Sequence, residues 1–315
     1  MDTVDHTKLR SSSTRVLLQR DWKRNKTLYF LFLPVLLYYL IFQYGPMFGL
    51  LISFQNYKPA TGIFKSPWVG LKHFKDFFSD YYFQRVLGNT IRISVLNLLF
   101  TFPMPIVLAL MINALKSRRY SRIVQTITYI PHFISIVVVV SIMMGLTSRD
   151  GAIPQALKIF GFTPVTMLNR KEYFLPLYII SGIWQNIGWN SIIYLSALTA
   201  IDAELYEAAH IDGAGKTRQL FSITLPCLAP TIIIMFILAV GKMFNVGYEK
   251  IILMYNPLTY EVADVISTYV YRKGLLEMSW SYSAAVGLFN SVVSFVLVWS
   301  TNWFCKRVND GSGLW

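Results

Sequence analysis

The sequence predicts an all-α membrane protein with six transmembrane helices, and three observations carry that prediction. Of its 315 residues, 54% are hydrophobic and only 14% charged, where a soluble domain carries nearer a quarter charged. The apolar residues gather into six long runs, and the basic residues sit at the ends of those runs. The net charge of +13 is therefore explained by lipid headgroups rather than by nucleic acid, because the basic residues are not interleaved with aromatics on a soluble face.

In chain order, residues 1–27 hold seven basic residues (Lys8, Arg10, Arg15, Arg20, Lys23, Arg24, Lys26) and read as a polar cytoplasmic tail. The apolar run over 28–54 is too long for a signal-peptide core and has no small-residue cleavage site, so it reads as an uncleaved first span. Further runs occupy about 90–115, 123–146, 173–198, 229–246 and 281–304. Each is long enough to cross a hydrocarbon core of about 30 Å. The link 116–122 has four basic residues in seven (Lys116, Arg118, Arg119, Arg122), which places it in the cytoplasm. Six spans then bring residues 305–315 to the same side as a second tail, leaving 28–304 as the spanning domain.

The connection 199–228 also faces the cytoplasm in this scheme, although its acids (Asp202, Glu204, Glu207, Asp212) outnumber Lys216 and Arg218. A protein partner explains that balance better than lipid does. The stretch reads as a helix, a turn and a helix. Asp202 is a good N-cap, Gly213 supplies a left-handed C′ position, and a second helix starts at Thr217 and ends at Leu225, where Pro226 stops it. Ala208 and Ala209 let another surface approach the backbone, and Glu207 offers one charge for a directed ion pair. The alternative is an ordinary solvated connection. Gly213-Ala214-Gly215-Lys216-Thr217 looks like the tail of a phosphate-binding loop, but the glycine required five positions before Gly215 is His210 and no buried strand precedes it. Nucleotide binding by this chain is not expected.

Within the spans, all 16 carboxylates can be placed outside the membrane. That disfavours a proton-coupled secondary transporter and a membrane-embedded transferase, both of which need acids or a metal at depth. Span four instead carries Trp184, Gln185, Asn186, Trp189 and Asn190. Amides exchange hydrogen bonds with sugar hydroxyls and indoles cover the apolar face of a pyranose; alternatively, these residues bond and pack between helices. Lys242 in span five is a candidate for a cavity or an intersubunit ion pair, with Asn245, Tyr248 and Asn290 as further candidates for the same lining. Pro103 and Pro105 should break span two near its middle. The outer connections carry Trp68, Phe74, Phe77, Phe78, Tyr81, Tyr82, Phe83, Tyr260, Tyr269, Tyr271 and Trp280, which read as an interfacial belt or as a docking surface for an extracellular protein. Cys227 and Cys305 read as reduced and structural, and the four histidines show no metal spacing.

Glu207-Ala208-Ala209, Asp212-Gly213-Ala214 and Leu225-Pro226, at their spacing in this chain, resemble the EAA loop on the permease subunits of binding-protein-dependent ABC importers. The likeness extends to Trp68-Val69-Gly70-Leu71, Tyr129-Ile130-Pro131-His132-Phe133, Gly188-Trp189-Asn190, Gly247-Tyr248-Glu249-Lys250, 265–271 and Gly287-Leu288-Phe289-Asn290. These resemble the carbohydrate branch of type I importers, in particular permeases for pectic or rhamnogalacturonan oligosaccharides in Gram-positive bacteria. The resemblance implies the MetI-like permease fold, a bacterial plasma-membrane location and no catalysis by this chain. It implies as partners a second permease, two cytosolic ATPases holding ATP and Mg, an extracellular substrate-binding lipoprotein and a carbohydrate substrate, with no nucleic acid. The coupling loop would present Glu207, Ala208, Ala209, Asp212, Gly213, Ala214, Leu225 and Pro226 to the ATPase. The rival readings are a non-conducting scaffold or sensor subunit of such a complex, and a secondary sugar transporter.

Overall fold

A computed structural model describes residues 14–308. Its described residues are helical and irregular, with one isolated bridge between Gln55 and Trp68. The principal helices are α1 (Thr14–Tyr39), α2 (Phe83–Thr101), α3 (Pro103–Asn113), α4 (Arg118–Tyr129), α5 (Ile136–Thr147), α6 (Lys171–Thr199), α7 (Ala203–Ile211), α8 (Leu225–Met243), α9 (Tyr248–Met254), α10 (Ile266–Tyr271) and α11 (Trp280–Val308).

Five helical stretches among the described residues are long and apolar enough to cross a membrane: Asp21–Phe54, Phe83–Asn113, Ile136–Ile159, Lys216–Met243 and Trp280–Arg307. The sixth expected span is α6, whose 29 residues reach about 44 Å at 1.5 Å each. Its amides and termini lower its hydropathy, so length rather than composition marks it.

Residues 14–27 of the expected basic tail are helical, with a kink at Asn25; residues 1–13 and 309–315 of the expected tails lie outside the described residues. Three expectations need correction. The third apolar run is not one helix over 123–146. It divides into α4, a 3₁₀ turn over Ile130–Phe133 and α5, whose N-cap Ser135 accepts from the Val138 amide. Pro131 removes a donor there and Ser135 opens a new helix. Pro226 does not stop a helix either. Lys216–Gln219 runs through a π-helical turn, Leu220–Thr224, into α8, and that wider turn directly before Pro226 lets the helix pass through the proline. Finally, Phe77 and Tyr269 are core residues, each 1% exposed, rather than members of a belt. Pro103 and Pro105 do divide the second span, at Phe102.

Three apolar clusters hold the bundle together. Ile93, Val140, Phe174, Tyr178 and Ile251 join α2, α5, α6 and α9. Phe77, Val86, Ile266, Tyr269 and Val286 join α2, α10 and α11. Ala109, Tyr194, Leu198 and Leu228 join α3, α6 and α8 at the end nearest α7. The connection between α8 and α11, expected as an outer loop, is thus part of the core. A buried carboxylate organises it: Asp264 accepts from Arg272 (2.7 Å), Arg85 (3.3 Å) and Thr268 (2.8 Å). Nearby, Asp80 accepts from the Tyr269 and Tyr282 hydroxyls at 2.7 and 3.2 Å. Burial pushes the Asp80 carboxyl up, but these bonds, the Tyr82 amide and Lys273 outweigh it and hold its pKa below the ordinary value. Its contribution to stability is present at neutral pH and is lost as pH falls through the folded-state value. By contrast, the side chains of α1 from Leu28 onward are exposed.

Candidate functional site: an amide-lined cavity and an exposed elbow

A cavity of about 550 Å³ opens between α2, α6 and the start of α9, within the usual range for small-molecule sites, about 300–1,000 Å³. It is lined by Asn97 and Thr101 of α2, Ile136 of α5, Tyr178, Gly182, Gln185, Asn186 and Asn190 of α6, and Asn245, Gly247, Tyr248, Glu249 and Lys250. Successive helical residues are about 100° apart, so positions 178, 182, 185, 186 and 190 share one face of α6. Asn97, Asn190 and Asn245 make no side-chain hydrogen bond within the described residues. Gln185 donates to the Ile134 carbonyl at 3.0 Å, and Asn186 donates to the Gly182 carbonyl at 3.2 Å while its Oδ1 meets His132 Nδ1 at 3.1 Å.

Of the pathway residues expected from sequence, the cavity brings together Gln185, Asn186, Asn190, Asn245 and Tyr248. It does not include Trp184, Trp189, Lys242 or Asn290. Trp184 lies about 100° round α6 from Gln185 and lines an apolar groove with Val139, Ile142 and Met143. Trp189 stacks on the His132 ring, 4.6 Å between centroids and 3° between planes. Lys242 is exposed near the end of α8, and Asn290 Oδ1 is buried without a partner. Sequence reading missed Asn97, Tyr178, Glu249 and Lys250 as lining. The spans expected at 229–246 and 281–304 put Glu249-Lys250 in an outer loop, and the fold of 247–280 brings them to the cavity.

The second feature is the elbow between α6 and α8. Asp202 caps α7 by accepting from the Glu204 amide at 3.0 Å. Gly213 closes the helix at φ +76°, with its amide on the His210 carbonyl and the Ala214 amide on the Ala209 carbonyl at 2.8 Å. That double closure is the left-handed C-terminal arrangement glycine permits. No residue of α7 is buried; Glu207, Ala208 and Asp212 are exposed, Ala209 and Ala214 half-buried, and Ile211 is 86% exposed. Leu225 is half-buried and Pro226 exposed at the start of α8. Tyr206, which sequence reading passed over, ties α7 to the π-helical turn that leads into α8, through a 3.0 Å bond between its hydroxyl and Thr224 Oγ1. Replacing Tyr206 by Phe is expected to lower stability by about 1 kcal/mol, one net hydrogen bond, measured by thermal unfolding of the purified protein.

Comparison with known proteins matches residues 101–310 to the family described as "Binding-protein-dependent transport system inner membrane component". The chain is 44% identical to Protein LplB of Bacillus subtilis (strain 168) over 93% of this chain and 92% of that protein. It is 43% identical to the polygalacturonan/rhamnogalacturonan transport system permease protein YteP of the same organism, over 91% of this chain and 90% of that protein. Among solved structures, a bacterial ABC transporter involved in the import of the acidic polysaccharide alginate superposes with a TM-score of 0.86, at 43% identity, covering 93% of this chain and 99% of that one. A fold built around an amide-lined cavity and an exposed elbow, together with these matches across most of its length, shows that the chain belongs to the binding-protein-dependent transport system inner membrane component family.

Proposed function

We propose that this chain is one of two permease subunits of an ATP-driven importer, passing an oligosaccharide across a bacterial plasma membrane. The observation that carries the reading is one continuous connection. Helix α6 holds the cavity wall at residues 178–190 and ends at Thr199, with three residues between it and the capped, exposed helix α7. Movement imposed on α7 therefore reaches the cavity along a rigid rod, anchored at its lower end by Tyr194, Leu198 and Leu228.

In this reading α7 seats on a cytosolic ATPase that holds ATP and Mg, with Glu207 paired to a basic residue there. Both termini lie in the cytoplasm, and an extracellular binding lipoprotein delivers the sugar. The exposed α1 is covered by lipid and the second permease. The cavity amides exchange hydrogen bonds with sugar hydroxyls as water is displaced. Closure of two ATPases draws the two elbows together and pivots the bundles between inward-open and outward-open states.

The test is reconstitution of the chain with its second permease, ATPase and binding lipoprotein in proteoliposomes. Labelled oligosaccharide is expected to accumulate only with ATP inside the ATPase compartment. ATP hydrolysis without accumulation would favour a scaffold or sensor subunit, and accumulation driven by an ion gradient without ATP would favour a secondary transporter; either result overturns the proposal.

A further inference from the structure

We propose that Lys250 is the carboxylate-reading group of the cavity, so that the site selects oligosaccharides bearing uronic-acid residues over neutral ones of the same length. This rests on the transport reading above. Lys250 is 8% exposed, yet it lines the cavity. Its ammonium donates to the Tyr178 carbonyl at 2.8 Å and lies 4.6 Å from the centre of the Tyr178 ring. It rests against Gly182, where a Cβ would stand 3.3 Å from Nζ, so the bare backbone of α6 makes the niche that holds it.

Buried cations are normally paired with a carboxylate. Among the described residues no carboxylate lies within ion-pair distance of Lys250. The carbonyl takes one of its three N–H donors, and a carbonyl with a ring face compensates a desolvated charge only in part. The remaining donors sit in the wall of a cavity otherwise lined by Asn97, Gln185, Asn186, Asn190 and Asn245, side chains suited to sugar hydroxyls. A single ammonium among amides matches a polyhydroxylated ligand with one carboxylate per ring.

Glu249 lines the same cavity but is exposed. Its repulsion of an acidic sugar is screened by water, whereas attraction to the desolvated Lys250 is not, so Lys250 dominates. Glu249 is left to accept from hydroxyls at the rim.

The test uses the assembled complex, its ATPase rendered hydrolysis-deficient and loaded with ATP, without the binding lipoprotein, so that only the membrane cavity selects. Equilibrium dialysis compares trigalacturonate, its methyl ester and maltotriose. The wild-type complex is expected to bind trigalacturonate at least about tenfold tighter than the methyl ester, the scale of one charge-assisted hydrogen bond. In Lys250→Met that ratio is expected to fall to about one. Equal wild-type affinity for acid and ester, an unchanged ratio in the variant, or no binding of any of the three sugars would overturn the assignment. The wild-type comparison of acid with ester does not depend on the variant folding. ATP-driven accumulation in proteoliposomes, scored separately, shows whether the transport reading has failed instead.

Discussion

Replacing Glu207 by lysine is expected to reduce ATP-driven sugar accumulation to background, about 100-fold or more, while leaving the protein's stability within about 0.5 kcal/mol of wild type. The stability half follows from the local structure. Glu207 is exposed on α7 and makes no hydrogen bond or ion pair among the described residues, and substitutions at such surface positions rarely exceed about 0.5 kcal/mol. The Asp202 cap and the Gly213 closure are untouched. The transport half follows from what the side chain presents outward. Removing one partner of a desolvated interfacial charge pair costs about 2–5 kcal/mol, and a reversed charge adds repulsion. ATP hydrolysis is expected to persist without responding to the binding protein. Uptake in proteoliposomes, ATPase rate and thermal unfolding read the three quantities separately. Wild-type uptake by a normally assembled Glu207→Lys complex would remove the coupling role.

Gly188→Leu is expected to have the largest effect on the fold. Helices α4 and α6 cross with Thr128 lying directly on Gly188: a Cβ there would stand 2.1 Å from the Thr128 carbonyl oxygen and 2.4 Å from its carbon. Both are backbone atoms, so α4 as a whole must lift away. With it would go the His132–Trp189 stack and the His132–Asn186 bond, which fix the α6 face that lines the cavity. Overpacking typically costs about 1–3 kcal/mol when side chains can rearrange; with backbone in the way, a loss of about 3 kcal/mol or more is expected. Gly188→Ala should cost about 2 kcal/mol by the same contact. Gly88→Ala on α2, where no atom lies within 4 Å of the added methyl, is the matched control and should be neutral or slightly stabilising. Thermal unfolding of the three variants in one detergent makes the comparison. Equal midpoints for Gly188→Leu and wild type would contradict the close approach of α4 and α6.

The parts of this protein legible in its sequence are those where one local rule has no competitor. A bilayer admits only long apolar helices, so the runs ending near 54, 115, 198 and 304 could be read directly. The turn at Gly213 was legible because a positive φ after a capped helix selects glycine. What escaped depends on partners far along the chain. Asn89 donates to the Glu261 and Asp264 carbonyls across more than 170 residues, and nothing near Asn89 announces that pairing. Lys250 reads as a solvent-facing charge until the Tyr178 carbonyl supplies its acceptor. Pro226 reads as a stop until a π-helical turn absorbs it. Trp189 lies one turn from Gln185, but its indole packs on the His132 and Phe133 rings and does not line the cavity. Amide periodicity therefore located the cavity face, while the charged lining and the fate of the indoles needed the tertiary fold.

The most direct measurement is disulfide trapping between the elbow and the ATPase in the assembled transporter. In a background carrying Cys227→Ser and Cys305→Ala, which removes both native thiols, single cysteines at positions 203–213 would be paired with cysteines on the ATPase surface. Cross-links that form from the cytoplasmic side, concentrate around Glu207 and Ala208, and block uptake until reduced are the predicted result. Labelling of these positions from the outer face of intact cells, or absence of any cross-link to the ATPase in a complex that transports, would contradict it.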